Sequence, residues 1–215
     1  MADNKALPPL GPGSEVTVAT EEIGGVDFQK IKLADGRDGA TRLLRLDEAT
    51  NTLQTMSYEH HEIHSGDHYF IGGYTELQDT DTATFFVITP NSTKWAHMLF
   101  SLEADALITY GMYETATYAG GGSTLSLINN DRNSDNTSGL TILSAGTASV
   151  AGTLIDSFQT GAATVASKPL TGGRGTRNNE MILKQNTTYR AVITSGADDN
   201  TLSYYASWYE HTNVE

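Results

Sequence analysis

The chain has no cysteine, so disulfides, thiolate metal sites and cysteine nucleophiles are all excluded. It is also short of positive charge: 13 Lys and Arg stand against 26 Asp and Glu, a formal net charge of -13. A phosphate-backbone binder needs a basic face and attachment to anionic lipid needs a basic cluster, so neither nucleic acid nor membrane is expected as a partner. Charged residues reach only 18%, too few for a long charged helix or an acidic disordered tail. No apolar run approaches the roughly 20 residues that span a bilayer. The opening Met1-Ala2-Asp3-Asn4-Lys5-Ala6 lacks the basic start and apolar stretch of a secretory leader, and synthesis in a cytoplasm is the expectation. Proline is scarce and uneven: Pro8, Pro9 and Pro12 are three of only five.

What is present points to strands. The 215 residues include 21 glycines and many Thr, Ser and Asn, a composition of short strands joined by turns, and the length suffices for a core without staples. The early prolines deny helical hydrogen bonds and predict an extended arm over residues 1–15. Within it Leu7, Pro8, Pro9 and Leu10 offer apolar contact to a neighbouring subunit at little ordering cost. Residues 16–215 carry no fixed-period repeat and no composition break, and are expected to form one domain. Thr84-Phe85-Phe86-Val87-Ile88-Thr89 is a buried-strand pattern, and Trp95–Leu102 and Ala106–Tyr113 follow it. Tyr58–Ile63 and Tyr69–Ile71 flank Ser65-Gly66-Asp67, which predicts a hairpin. The polar run at 129–136 reads as a solvated loop. Tyr189–Ile193 and Leu202–Tyr209 read as a closing pair of strands. No long window keeps a 3.6-residue apolar period, so the expected fold is an all-β, antiparallel β-sandwich of jelly-roll type with an extended N-terminal arm.

Of the chemistry-bearing residues, histidine is the most unevenly placed. His60, His61, His64 and His68 fall within nine residues, while His97 and His211 stand alone. On a strand, His60, Glu62 and His64 would share one face, a set suited to Zn, Mn or Fe in a cupin-like enzyme. The spacing argues against it: a cupin strand has two His one residue apart, which would need His at 62. A polar strand face, at a subunit interface or pairing with carboxylates, is the plainer reading. No metal, cofactor or catalytic residue is therefore expected. No Gly-x-Ser-x-Gly elbow occurs, and Gly120-Gly121-Gly122-Ser123 and Gly172-Gly173-Arg174-Gly175 open no helix that could cradle phosphate. In the aromatic tail, alternation sets Tyr204, Ala206 and Trp208 against Tyr205, Ser207 and Tyr209. Trp208 is expected in the core, with a sugar-stacking platform as the alternative.

Three stretches resemble segments of tailed-bacteriophage structural proteins: Val18 to Gly36, Tyr58 to Tyr69, and Asn179 to Tyr189 with the closing Trp208-Tyr209-Glu210-His211. The resemblance implies a non-enzymatic virion protein, most like a head-decoration (capsid cement) protein, bound to the major capsid protein on the capsid surface. It further implies a homo-oligomer, with a trimer favoured. A tail-associated receptor- or glycan-binding module using the strand around Trp208 is the alternative function.

Overall fold

Short runs of β-branched and aromatic side chains, each closed by a turn, favour pleated strands over helices. The computed structural model is accordingly built of antiparallel sheets, and it describes residues 3–6, 17–23, 26–29, 57–162, 171–172 and 179–212. The chain divides into two compact units, Met1–Met56 and Ser57–Glu215.

In the first unit, β1 (Asp3–Ala6), β2 (Thr17–Ile23) and β3 (Val26–Gln29) form an antiparallel sheet in the order β1-β2-β3. The start of the expected arm is thus a paired strand, with Asp3 opposite Thr20 and Ala6 opposite Thr17. Leu7, Pro8, Pro9 and Leu10 lie outside the described residues.

The second unit begins with a helix, α1 (Tyr58–Ser65), followed by β4 (His68–Leu77), β5 (Thr82–Ile88), β6 (Lys94–Ala104) and β7 (Ile108–Glu114). It continues through β8 (Thr117–Thr124), β9 (Ile128–Asn129), β10 (Thr141–Val150), β11 (Thr153–Thr160) and β12 (Thr171–Gly172). The last strands are β13 (Met181–Ile182), β14 (Thr188–Ser195) and β15 (Asn200–Thr212). One sheet has the order β11-β7-β14-β5-β10-β8; the other has β12-β6-β15-β4-β9, with β13 added on β6. The expected antiparallel β-sandwich is present. Its core interleaves Phe85, Val87, Ile108, Tyr110, Met112, Ile142, Tyr189 and Ile193 from the first sheet with Ile71, Met98, Leu102, Leu202 and Trp208 from the second. Each such side chain stabilises the fold by about 1.5–3 kcal/mol relative to exposure.

One long ribbon links the two edges of the first sheet. β7 pairs with β11 and β8 with β10, and the pairing runs on from Glu114↔Thr153 to Thr117↔Val150. The ribbon bends where Thr115 and Gly152 take positive φ, 60° and 87°. A Cβ on Gly152 would lie 2.6 Å from the Glu114 carbonyl oxygen, so the bend requires glycine there.

Two expectations are corrected. Residues 58–65 are helical, because the termini outweigh a sequence with no clear apolar face. The Ser57 side chain accepts the His60 N–H, and Gly66 closes the helix in the left-handed region at φ 77°. The Gly66 N–H donates to Ile63 O and the Asp67 N–H to Glu62 O, so Ser65-Gly66-Asp67 is a helix terminus, not a hairpin. Secondly, β14 and β15 do not pair: β14 lies between β5 and β7, and β15 between β4 and β6. The buried Asn200 fixes this crossing between sheets, its amide bonding Ala106 N, Leu107 O and Ser195 Oγ.

Candidate functional site

The register of β6 and β15 gathers residues that are far apart in the chain. Tyr209 pairs with His97 and His211 with Trp95. Their neighbours Met98 and Trp208 point into the core and are fully buried, so alternation puts His97, Tyr209 and His211 on the opposite, outer face. β13 pairs with β6 through Met181↔Met98 and Ile182↔His97, which brings the preceding Glu180 to the same place. The His97 Nδ1 lies 2.8 Å from Glu180 Oε1, and the Tyr209 hydroxyl donates to that oxygen over 2.8 Å. On the far side of the ring, His97 Nε2 lies 2.8 Å from His211 Nε2. His211 Nδ1 is 2.9 Å from the Thr212 carbonyl oxygen. The rings pack as well: His97 stacks on Tyr209 at 4.6 Å, and His68 stacks on Tyr209 at 6.4 Å. His68, His97 and Tyr209 are buried, whereas His211 is half-buried.

The four clustered histidines divide. His60 and His64 lie one turn apart on α1, exposed, with their Nε2 atoms 3.0 Å apart. Glu62 is buried on another side of the helix, and the Ser65 hydroxyl donates to its carbonyl oxygen. The set His60, Glu62 and His64 is therefore not assembled, because a helical turn separates what a strand would align. His61 is exposed and 3.5 Å from Glu62 Oε1. His68 turns instead toward Glu59, at 3.6 Å. Among the described residues no three His, Asp or Glu side chains form a group that could hold a metal ion.

Trp208 lies in the core as expected, so it offers no ring face to a sugar. Its Nε1–H donates to Glu210 Oε1 over 3.0 Å, and Glu210 also accepts from the Ser138 hydroxyl and the Gly139 N–H. Tyr69 stacks on Trp208, and burial, with the Glu210 charge beside it, pushes its hydroxyl well above the usual phenol range. On the outer face of the same sheet, Tyr205 is 44% exposed and stacks on Phe70, and Tyr74 is 80% exposed.

A second titratable cluster joins the end of β7 to β14. Lys184 Nζ is 2.7 Å from Glu114 Oε1, and the Tyr189 hydroxyl donates to Glu114 Oε2 over 3.0 Å. The hydrogen bond from Lys184, with that from Tyr189, holds the Glu114 carboxyl below its usual range. Burial pushes the Tyr189 hydroxyl up to about 12.

The exposed apolar side chains have their own location. Among the described residues β11 stands at one end of the first sheet, beside β7. It carries Leu154 and Ile155, 50% and 44% exposed, and Val150 across the bend is 55% exposed. The polar run at 129–136 is a loop beyond Asn129, which ends β9, but it is not a merely solvated one. Asn129 is buried and its Nδ2 donates to Gly66 O over 2.7 Å, docking the loop on the end of α1.

The chain matches no family model, no curated protein and no solved structure.

Proposed function

We propose that the protein is a non-enzymatic structural component of a tailed-bacteriophage virion, a head-decoration (cement) protein that stabilises the capsid exterior by bridging major capsid protein subunits. The observation that carries this reading is the exposed apolar pair Leu154 and Ile155 on β11, the edge strand of its sheet among the described residues, with Val150 exposed across the bend, on a chain of net charge -13. An edge strand exposes unpaired backbone groups, and natural proteins usually guard such edges with charge, proline or a cover. Here apolar side chains accompany the edge, the arrangement of a surface that docks by local burial and strand pairing. The resemblance of the three segments supplies the partner class. A homo-oligomer, with a trimer favoured, would multiply weak contacts through effective concentration. The test is co-sedimentation with preformed capsid shells. Leu154→Glu with Ile155→Glu is expected to abolish binding while leaving the circular dichroism spectrum unchanged. Undiminished binding by a folded double variant would remove the edge from the account.

A second reading, a tail-associated glycan-binding module, is favoured by one observation: the exposed Tyr74 ring on the same outer sheet face as Tyr205, which stacks on Phe70. Exposed aromatic faces stack on sugar rings. A glycan array separates the readings, since saturable binding that is lost in Tyr74→Ala supports this one alone.

A further inference from the structure

We infer that His97 and His211 form a binding site for a divalent transition-metal ion of the Cu2+ or Ni2+ type. The argument begins with hydrogen positions. A carbonyl oxygen only accepts, so His211 Nδ1, 2.9 Å from Thr212 O, carries a hydrogen. A carboxylate only accepts, so His97 Nδ1, 2.8 Å from Glu180 Oε1, carries one too. In the neutral rings both Nε2 atoms then hold lone pairs, and they face each other across 2.8 Å. Two opposed lone pairs at that distance repel unless a cation lies between them.

Both rings also have the support that metal-ligating histidines use. Such a histidine donates its second N–H to a carboxylate or a backbone carbonyl, which fixes the tautomer and strengthens the ligating nitrogen. Glu180 does this for His97, with the Tyr209 hydroxyl holding the same carboxylate oxygen, and Thr212 O does it for His211. The exposed pair on α1, His60 and His64, also converges, at 3.0 Å, but among the described residues neither ring bonds a carboxylate or a backbone carbonyl. The antiparallel pairing of β6 with β15 holds the His97–His211 arrangement in place, with His97 buried and His211 half-buried.

The separation selects among metals. An ion about 2.05 Å from two nitrogens 2.8 Å apart subtends about 86°, a cis angle of square-planar or octahedral coordination. A tetrahedral zinc angle would need the nitrogens about 3.3–3.4 Å apart at the same bond length.

The test is equilibrium dialysis of the full chain against Ni2+ alone, with Zn2+ in a parallel arm. A variant carrying His60→Ala and His64→Ala removes the competing helical pair. This variant is expected to bind one equivalent of Ni2+, more tightly than Zn2+. Adding His211→Gln should abolish binding, and adding Glu180→Gln should weaken it by about 10–100-fold. Tryptophan fluorescence of the buried Trp208 verifies that each variant is folded. No stoichiometric Ni2+ in the His60/His64 variant would overturn the site and leave a proton as the shared cation. Binding that survives His211→Gln overturns it equally, and tighter Zn2+ than Ni2+ overturns the choice of metal.

Discussion

Glu210 is a carboxylate turned into the core, and it stays because three donors meet it: Trp208 Nε1–H, the Ser138 hydroxyl and the Gly139 N–H. Glu210→Leu would remove the acceptor they share and leave the buried Trp208 Nε1–H with Ser138 Oγ alone, at a cost of about 1–3 kcal/mol. A urea titration is expected to show a lower midpoint, and an unchanged midpoint contradicts the assignment. The Glu114–Lys184–Tyr189 cluster makes two predictions of opposite sign. Tyr189 has its folded pKa raised to about 12, so the unfolded chain ionises first. The stability it contributes is complete below the unfolded value of about 10 and is lost as pH rises from there through the folded pKa. Tyr189→Phe is expected to flatten that alkaline decline in unfolding curves. Glu114 is depressed, so its contribution is present above the ordinary carboxylate range and is lost as pH falls through the folded pKa. Lys184→Met is expected to shift the acid-unfolding midpoint upward. At this scale the sequence was legible for Trp208, whose alternation with Tyr209 already separated core from outer face. It was silent on Glu210, because nothing in the string Trp208-Tyr209-Glu210 shows that Ser138 and Gly139 wait across the sandwich end.

Among the elements, α1 was the least legible. Its eight residues, Tyr58 to Ser65, have strand-like neighbours and no apolar stripe, and only Ser57 and Gly66 mark its ends. Gly66 is where the helix depends on one residue: φ is 77°, and a Cβ would sit 2.2 Å from Ser134 Oγ. Gly66→Ala is expected to lower stability by more than the roughly 1 kcal/mol of backbone strain alone, since the 129–136 loop must also move. Ser57→Ala should cost about 1 kcal/mol by removing the cap. Hydrogen exchange of the His61 and His64 amides would reveal either change as faster opening, and unaltered exchange would contradict the role of the ends. Strand 82–88 was the most legible, because Phe85, Phe86 and Val87 leave no alternative to burial. The His97–His211–Glu180 group was not legible at all. It depends on Tyr209 lying opposite His97, and β-pairing over that sequence separation is set by the packing of the whole sandwich, not by any local signal.

For the whole molecule, the missing positive charge acquires a physical use. On the proposed function, a net charge of -13 would keep copies and particles apart, and attachment to a shell would have to come from local apolar and hydrogen-bonded contact. Among the described residues, Leu154 and Ile155 on the edge strand β11, with Val150 across the bend, are the exposed apolar side chains that would supply it. The β character and the sandwich were legible from short strands and turn residues, whereas the division at residue 56 was not, because no proline, glycine or charge run marks it. The central claim is that this edge anchors a capsid cement. Electron microscopy of virions assembled with and without the protein tests it most directly, combined with the temperature at which each particle releases its DNA. The account predicts added density on the head exterior and a higher release temperature when the protein is present. Identical head density and identical release temperature would contradict it.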